Sequence, residues 1–236
     1  MTKSFEMVFN VPMKCEDCEQ TVKMALQDVQ GLETIKLDWK AKLVNVFGYV
    51  APSDIVASLQ GIGKDAILRG TGKPNSAAVC ILESLDPVTK NHLVKGLARM
   101  MAVDEGKIVV DLKLSLLENG TYYPQIRSSG NLSDGAFSTG KLFHSFGPIK
   151  LGDVRKSDKE KGLASHQLLS ASLKIHELIG RSFVLSKAEH EITADSLFGV
   201  VARSAGAWEN DKSVCTCSGR TVWQERIEAL EKGITS

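Results

Sequence analysis

The sequence predicts two folded units of different class. The first is an α+β ferredoxin-like unit of βαββαβ order over residues 1–70, and the second is an all-β antiparallel unit over 77–205. A tail follows over 206–236. Three observations carry this reading. Apolar spacing switches between a period of two and a period of 3.6 within the first 70 residues. Beyond residue 77 the apolar residues fall in short alternating runs separated by turn signals. Between them, Gly70-Thr71-Gly72-Lys73-Pro74-Asn75-Ser76 has no apolar period, and residues 71–76 read as a linker.

In the first unit, Phe5, Met7, Phe9 and Val11 share one face of a strand. From Asp17 the period becomes helical, through Val22, Ala25, Leu26 and Val29, and Gly31 ends the helix. Leu32 to Leu37 and Leu43 to Phe47 are the next strands. Pro52 and Ser53 open a second helix carrying Ile55, Val56 and Leu59, closed by Gly61 and Gly63. Ala66 to Arg69 completes the unit.

In the second unit, Ala77 to Leu85, Lys95 to Val103 and the alternating Ile108, Val110, Leu112, Leu114 and Leu116 read as strands of an antiparallel sandwich or barrel. Gly, Ser, Asp and Lys dominate Ser128 to Gly162, which predicts long loops. Leu178 to Leu185 and Leu197 to Ala202 are two further strands. In the tail, Thr221 to Leu230 is a helical stretch too short to stand alone, expected to be mobile until it meets a partner.

Charge is balanced, with 29 Lys plus Arg against 28 Asp plus Glu, which argues against a general nucleic-acid or membrane binder. The first residues lack a signal-peptide pattern and no apolar window is long enough to span a bilayer, so the expected compartment is the cytosol. A share in the mitochondrial intermembrane space would leave no mark here. Four of the five cysteines form two close pairs, Cys15/Cys18 and Cys215/Cys217, which suits metal or redox chemistry better than a secreted disulfide framework.

Met13-Lys14-Cys15-Glu16-Asp17-Cys18 lies between a strand and a helix, with Cys18 in the helix's first turn. Backbone N–H groups and the helix dipole favour thiolate there. Thiolates are soft ligands that select Cu(I), and two of them leave an opening for an incoming thiolate, so the ion can pass by ligand exchange. Met13 is expected to pack beneath the loop. A thioredoxin-like redox pair has the same spacing, but the βαββαβ order and the M-x-C-x-x-C sequence speak against it. A structural zinc site needs two further ligands, and no second pair lies in this unit. Residues 5 to 70 resemble the heavy-metal-associated domain of copper chaperones and copper-pumping ATPases. Lys64 follows the second helix where that family often carries a basic residue; a solvated surface lysine is equally compatible.

Ala78-Val79-Cys80-Ile81-Leu82, Ser138-Thr139-Gly140, Leu178-Ile179-Gly180-Arg181-Ser182-Phe183-Val184 and Gly199-Val200-Val201 resemble copper/zinc superoxide dismutase. The resemblance spans residues 77 to 203 and implies an eight-stranded Greek-key barrel. It also implies that the copper-ligand histidines are missing, their positions being held by Gln125, Arg127, Leu142 and Ser186. The dismutases' disulfide cysteines fall at Ala136 and Phe198. A redox copper site needs converging imidazoles, so dismutation is not expected of this unit. His144, His166 and His176 lack the zinc-loop spacing, and His92 and His190 suggest no site, so zinc is not expected. Cys80 reads as an inert buried thiol.

Cys215-Thr216-Cys217 can close only a small strained disulfide ring, readily reduced and so a good oxidant of other thiols; reduced, the pair is a bidentate soft ligand. Trp208 and Trp223 flank it and can anchor the tail on a partner or pack on the barrel. The carrier unit, the ligand-poor dismutase-like unit and the CxC tail together resemble the copper chaperones for superoxide dismutase. That resemblance implies Cu(I) acquisition at Cys15 and Cys18, with recognition of the dismutase by the middle unit through a heterodimer, or a homodimer of the chaperone alone. It also implies a last step at Cys215 and Cys217 that delivers copper and oxidises the target's disulfide. The rival expectations are a divergent dismutase enzyme and a passive Cu(I) buffer.

Overall fold

In the computed structural model, which describes residues 3–84, 94–115, 117–151, 165–211 and 218–231, the first unit runs in the expected order. It comprises β1 (Phe5–Asn10), α1 (Glu16–Gln27), β2 (Leu32–Asp38), β3 (Leu43–Gly48), α2 (Pro52–Gly61) and β4 (Ile67–Thr71). The strands form an antiparallel sheet in the order β2-β3-β1-β4, the ferredoxin-like arrangement. Phe5, Met7 and Phe9 of β1, followed by Val11, are buried against Val22 and Leu26 of α1 and Ile55, Val56 and Leu59 of α2. Alternation on the strand and i, i+4 spacing on α1 put these side chains on facing surfaces, and their removal from water drives the packing.

The second unit contains β5 (Ala77–Glu83), β6 (Val94–Asp104), β7 (Lys107–Leu114), β8 (Gly120–Arg127), β9 (Leu142–Ser145), β10 (Ile149–Leu151), β11 (Ser165–Ala171), the short helix α3 (Ile175–Leu178), β12 (Ser182–Ser186), β13 (Leu197–Val200) and β14 (Ala202–Ser204). Its antiparallel sheet runs β10-β8-β12-β13-β5-β6-β7-β11, with β9 on β8 and β14 on β5. It curls around one core that includes Leu82, Met100, Ile108, Leu112, Ile126, Phe183 and Leu185, as a dismutase-like Greek-key barrel does.

Three expectations need correction. The stretch read as loops from Ser128 holds a 3-10 turn at Gly135–Thr139 and the strands β9 and β10, which at four and three residues are too short to stand out from the glycine- and serine-rich sequence around them. The strand expected from Leu178 starts only at Ser182, because α3 ends there and Gly180 turns the chain at φ +80. The strand expected from Leu197 to Ala202 divides at Val201, whose N–H donates to the Arg181 carbonyl at 2.8 Å.

β6 and β7 are buried on both faces. Met100, Val110 and Leu112 point into the barrel core, while Met101, Val103 and Val109 belong to the core of the first unit. The segment between the units is hydrogen-bonded on both sides. Thr71 N donates to Ala205 O at 3.1 Å, Gly72 N to Glu6 O at 2.7 Å, and Ala207 N to Gly72 O at 2.9 Å. Gly70 crosses Gly206 so closely that a Cβ on Gly70 would lie 1.9 Å from the Gly206 carbonyl oxygen.

The tail holds the helix α4 (Val222–Glu231), which touches the first unit through Arg226. Arg226 is buried, with Nε 3.0 Å from Asp65 Oδ2 and Nη2 3.1 Å from Asp65 Oδ1. This two-point ion pair supplies the tertiary contact that a helix of this length needs.

Candidate metal centre

Cys15 is the N-cap of α1 and Cys18 sits in its first turn, so helix geometry turns both sulfurs toward one side of the loop. The sulfurs are 3.6 Å apart, the Cys15 thiol donating toward Cys18. With a metal–thiolate bond of roughly 2.3 Å, the length zinc thiolates show, this separation lets both sulfurs bond one ion at an angle of about 100° and leaves its far side open. Cys15 is exposed and Cys18 half-buried, so an incoming ligand has access.

The Cys18 thiol is lowered to about 7. The Lys14 backbone N–H contributes most, followed by the Cys15 side chain; Lys64 adds a smaller attraction, and burial opposes all three. Lys64 Nζ lies 3.6 Å from Cys18 Sγ, so the lysine between α2 and β4 belongs to the surroundings of the two thiols rather than being a lone surface charge. Met13 is 1% exposed and packs in the core beneath the loop.

Cys215, Cys217 and His92 lie outside the described residues. Cys80 is buried, and burial pushes its thiol up to about 12, too protonated at neutral pH to act as a ligand. The remaining histidines are dispersed. His144 stacks edge-on against Phe146, His166 Nε2 lies 3.2 Å from Asp54, His190 pairs with its neighbour Glu189, and His176 sits in α3. Among the described residues no group of three or more His, Cys, Asp or Glu side chains could hold a metal ion.

Gln125 and Arg127, the positions that the dismutase resemblance pairs with copper histidines, form a hydrogen-bonded brace. Arg127 donates through Nη2 to Gly140 O at 2.7 Å, and through Nη1 to Gln125 Oε1 at 3.1 Å and His190 O at 3.2 Å. Ser186 is fully buried beside Thr193, whereas Leu142 is partly exposed. Ala136 and Phe198, the positions paired with the disulfide cysteines, meet in one small apolar cluster with Val184.

The sequence reading missed Arg99, Asp111, Asp65 and Arg226. Asp111 accepts from Ser53 N at 3.0 Å and from Ser53 Oγ at 2.8 and 2.7 Å, and Arg99 Nη1 lies 3.4 Å from the same carboxylate. Their signal was a pair of strands apolar on both faces, at Met100-Met101 and Val109-Val110, which marks a sheet covered on both sides.

The heavy-metal-associated domain family matches residues 8–65. The "Superoxide dismutase 1 copper chaperone" of Debaryomyces hansenii is 52% identical, covering 100% of both chains. The protein of the same name from Saccharomyces cerevisiae is 43% identical over 98% of each chain. Among solved structures, the apo heavy-metal-associated domain of a copper chaperone for superoxide dismutase is 27% identical, covering 31% of this chain and 74% of that one, at a TM-score of 0.29. Two thiols on an accessible strand-to-helix loop, a curled barrel beside them and this end-to-end identity agree: the chain belongs to the copper chaperones for superoxide dismutase, metallochaperones rather than enzymes.

Proposed function

We propose that the protein carries Cu(I) on the thiolates of Cys15 and Cys18 and hands it to a copper/zinc superoxide dismutase. The observation that carries this reading is the pair of sulfurs 3.6 Å apart, one of them lowered to about 7 and faced by Lys64. A Cu(I) ion on two thiolates leaves one net negative charge, which Lys64 offsets. The low coordination number lets a third thiolate attack before either of the first two leaves.

The barrel is the docking unit in this reading. Ile81 of β5, Ile179 after α3 and Val200 of β13 are each partly exposed on the side of the first and last strands, the faces through which dismutases pair. The same surface serves a heterodimer with a dismutase subunit or a homodimer of the chaperone. This part of the reading rests on likeness of fold. Cys215 and Cys217 complete the cycle, as a second Cu(I) ligand pair and as the dithiol–disulfide that exchanges with the target's cysteines. In the oxidising step the tail disulfide is reduced to two thiols as the target's two thiols become a disulfide, so electrons balance without another oxidant.

The test is activation of copper-free, reduced dismutase by the Cu(I)-loaded chaperone with a strong Cu(I) chelator present. Direct handover predicts activation by the wild type and its loss in both Cys15→Ser/Cys18→Ser and Cys215→Ser/Cys217→Ser. Activation abolished by the chelator would make the protein a copper buffer and remove the case for a docking role of the barrel.

A further inference from the structure

Where α4, β4 and β6 meet, a cavity of about 210 Å³ is lined by Arg99 and Arg226, with Thr71 and Ser204 on its wall. Arg99 is 8% exposed, and its one hydrogen bond among the described residues is the 3.4 Å contact of Nη1 with Asp111. Both Asp111 oxygens are already engaged by Ser53. A guanidinium has five N–H donors, so most of those on Arg99 reach no protein acceptor although the side chain is nine-tenths buried. Such a group requires a ligand or solvent to satisfy it. Arg226 brings a second guanidinium to the same cavity, itself paired with Asp65. Lys113 is nearby, lowered to about 8 first by burial and then by the charges of Arg99 and Arg226, so the surroundings are net positive even with Asp65 and Asp111 counted.

We propose that this cavity binds a small oxyanion of the phosphate or sulfate class, held by the Arg99 guanidinium and the charge of Arg226, with the hydroxyls of Thr71 and Ser204 within its wall. Planar guanidinium forks match the oxygens of a tetrahedral anion, and partial removal from solvent strengthens the attraction over that in water. The anion touches three parts of the chain at once: the carrier unit through Thr71, the barrel through Arg99 and Ser204, and the tail helix through Arg226. Its occupancy therefore sets how firmly α4 is held to the two folded units.

The experiment uses the full-length, reduced, metal-free protein. Inorganic phosphate is titrated from micromolar to tens of millimolar, with sodium chloride at matched ionic strength as the reference. Both the thermal unfolding midpoint and amide exchange of residues 222–231 are followed. A saturable rise in midpoint and slower exchange in α4 are expected with phosphate and not with chloride. Arg99→Lys keeps the charge that Asp111 needs but loses the fork, and should weaken phosphate binding about tenfold; Arg226→Gln should weaken it as well. Identical midpoints in phosphate and chloride would overturn the proposal. So would a wild-type response undiminished in both variants, since phosphate would then be binding elsewhere. None of these readouts requires copper, so the outcome is independent of the handover test.

Discussion

Asp111 of β7 caps the N-terminus of α2 from 58 residues away, accepting hydrogen bonds from both the backbone N–H and the hydroxyl of Ser53. The first turn of a helix has unpaired N–H donors and a partial positive charge, which its own N-cap residue usually satisfies. Here the N-cap is Ala51, which has no such group, and the missing acceptor comes from the barrel. Arg99 closes the other side of the carboxylate. A buried polar contact inside an apolar interface thus ties the first unit to the barrel, beside the backbone hydrogen bonds of the segment that links them.

Asp111→Ala should destabilise the protein by roughly 3–5 kcal/mol, because it strands the buried Arg99 cation and uncaps α2. Ser53→Ala should cost about 1 kcal/mol, since the backbone N–H bond to Asp111 survives. Urea unfolding followed by tryptophan fluorescence and by far-UV dichroism measures both. Equal, small effects of the two changes would remove Asp111 from this role.

Gly70→Ala should cost about 1–3 kcal/mol, the range for forcing an extra carbon into a packed site. The added Cβ meets a backbone carbonyl of Gly206, which cannot swing aside as a side chain can. Gly61→Ala, where a Cβ meets nothing within 4 Å, is the control and should stay close to wild type in the same unfolding measurement.

The Asp65–Arg226 pair makes docking of α4 depend on acid. Burial raises the Asp65 carboxyl, but the hydrogen bond and charge of Arg226 outweigh it and hold the group below its ordinary value of 3.8. A carboxyl depressed on folding adds stability that is present above the unfolded value and is lost as pH falls through the folded one. Protection of residues 222–231 against amide exchange should therefore persist at neutral pH and fade below the usual carboxylate range. In Asp65→Asn protection should be low throughout and should lose this pH dependence.

In the copper-free protein, alkylation of Cys18 by iodoacetamide should rise with pH with a midpoint near 7, as thiolate forms. Cys15→Ala should move the midpoint up further than Lys64→Met, because the Cys15 side chain contributes more to the lowered value than the lysine's charge does. A larger shift from Lys64→Met would make the lysine the principal stabiliser of the thiolate. Mass spectrometry of the labelled peptide reads the result.

The dithiol loop was legible because its geometry is local. Cys15 and Cys18 are three residues apart at a strand-to-helix junction, so sequence spacing alone puts both sulfurs on one loop. Lys64 was named but left undecided, since only the fold returns the end of α2 to the start of α1. The loop stretch after Ser128 was misread because β9 and β10 are only four and three residues long and are fixed by pairing with β8.

From its pattern alone the chain determined a βαββαβ carrier with a dithiol loop, an antiparallel β unit beyond it and a short helix near the end, all written in spacings of a few residues. The tertiary structure decided what depends on partners distant in sequence. It put Asp111 on Ser53, Arg226 on Asp65 and Met101 in the carrier's core, and it turned a glycine-rich segment read as a linker into a hydrogen-bonded seam. A buried charge persists only where a distant group satisfies it, and which group that is follows from the packing of whole units.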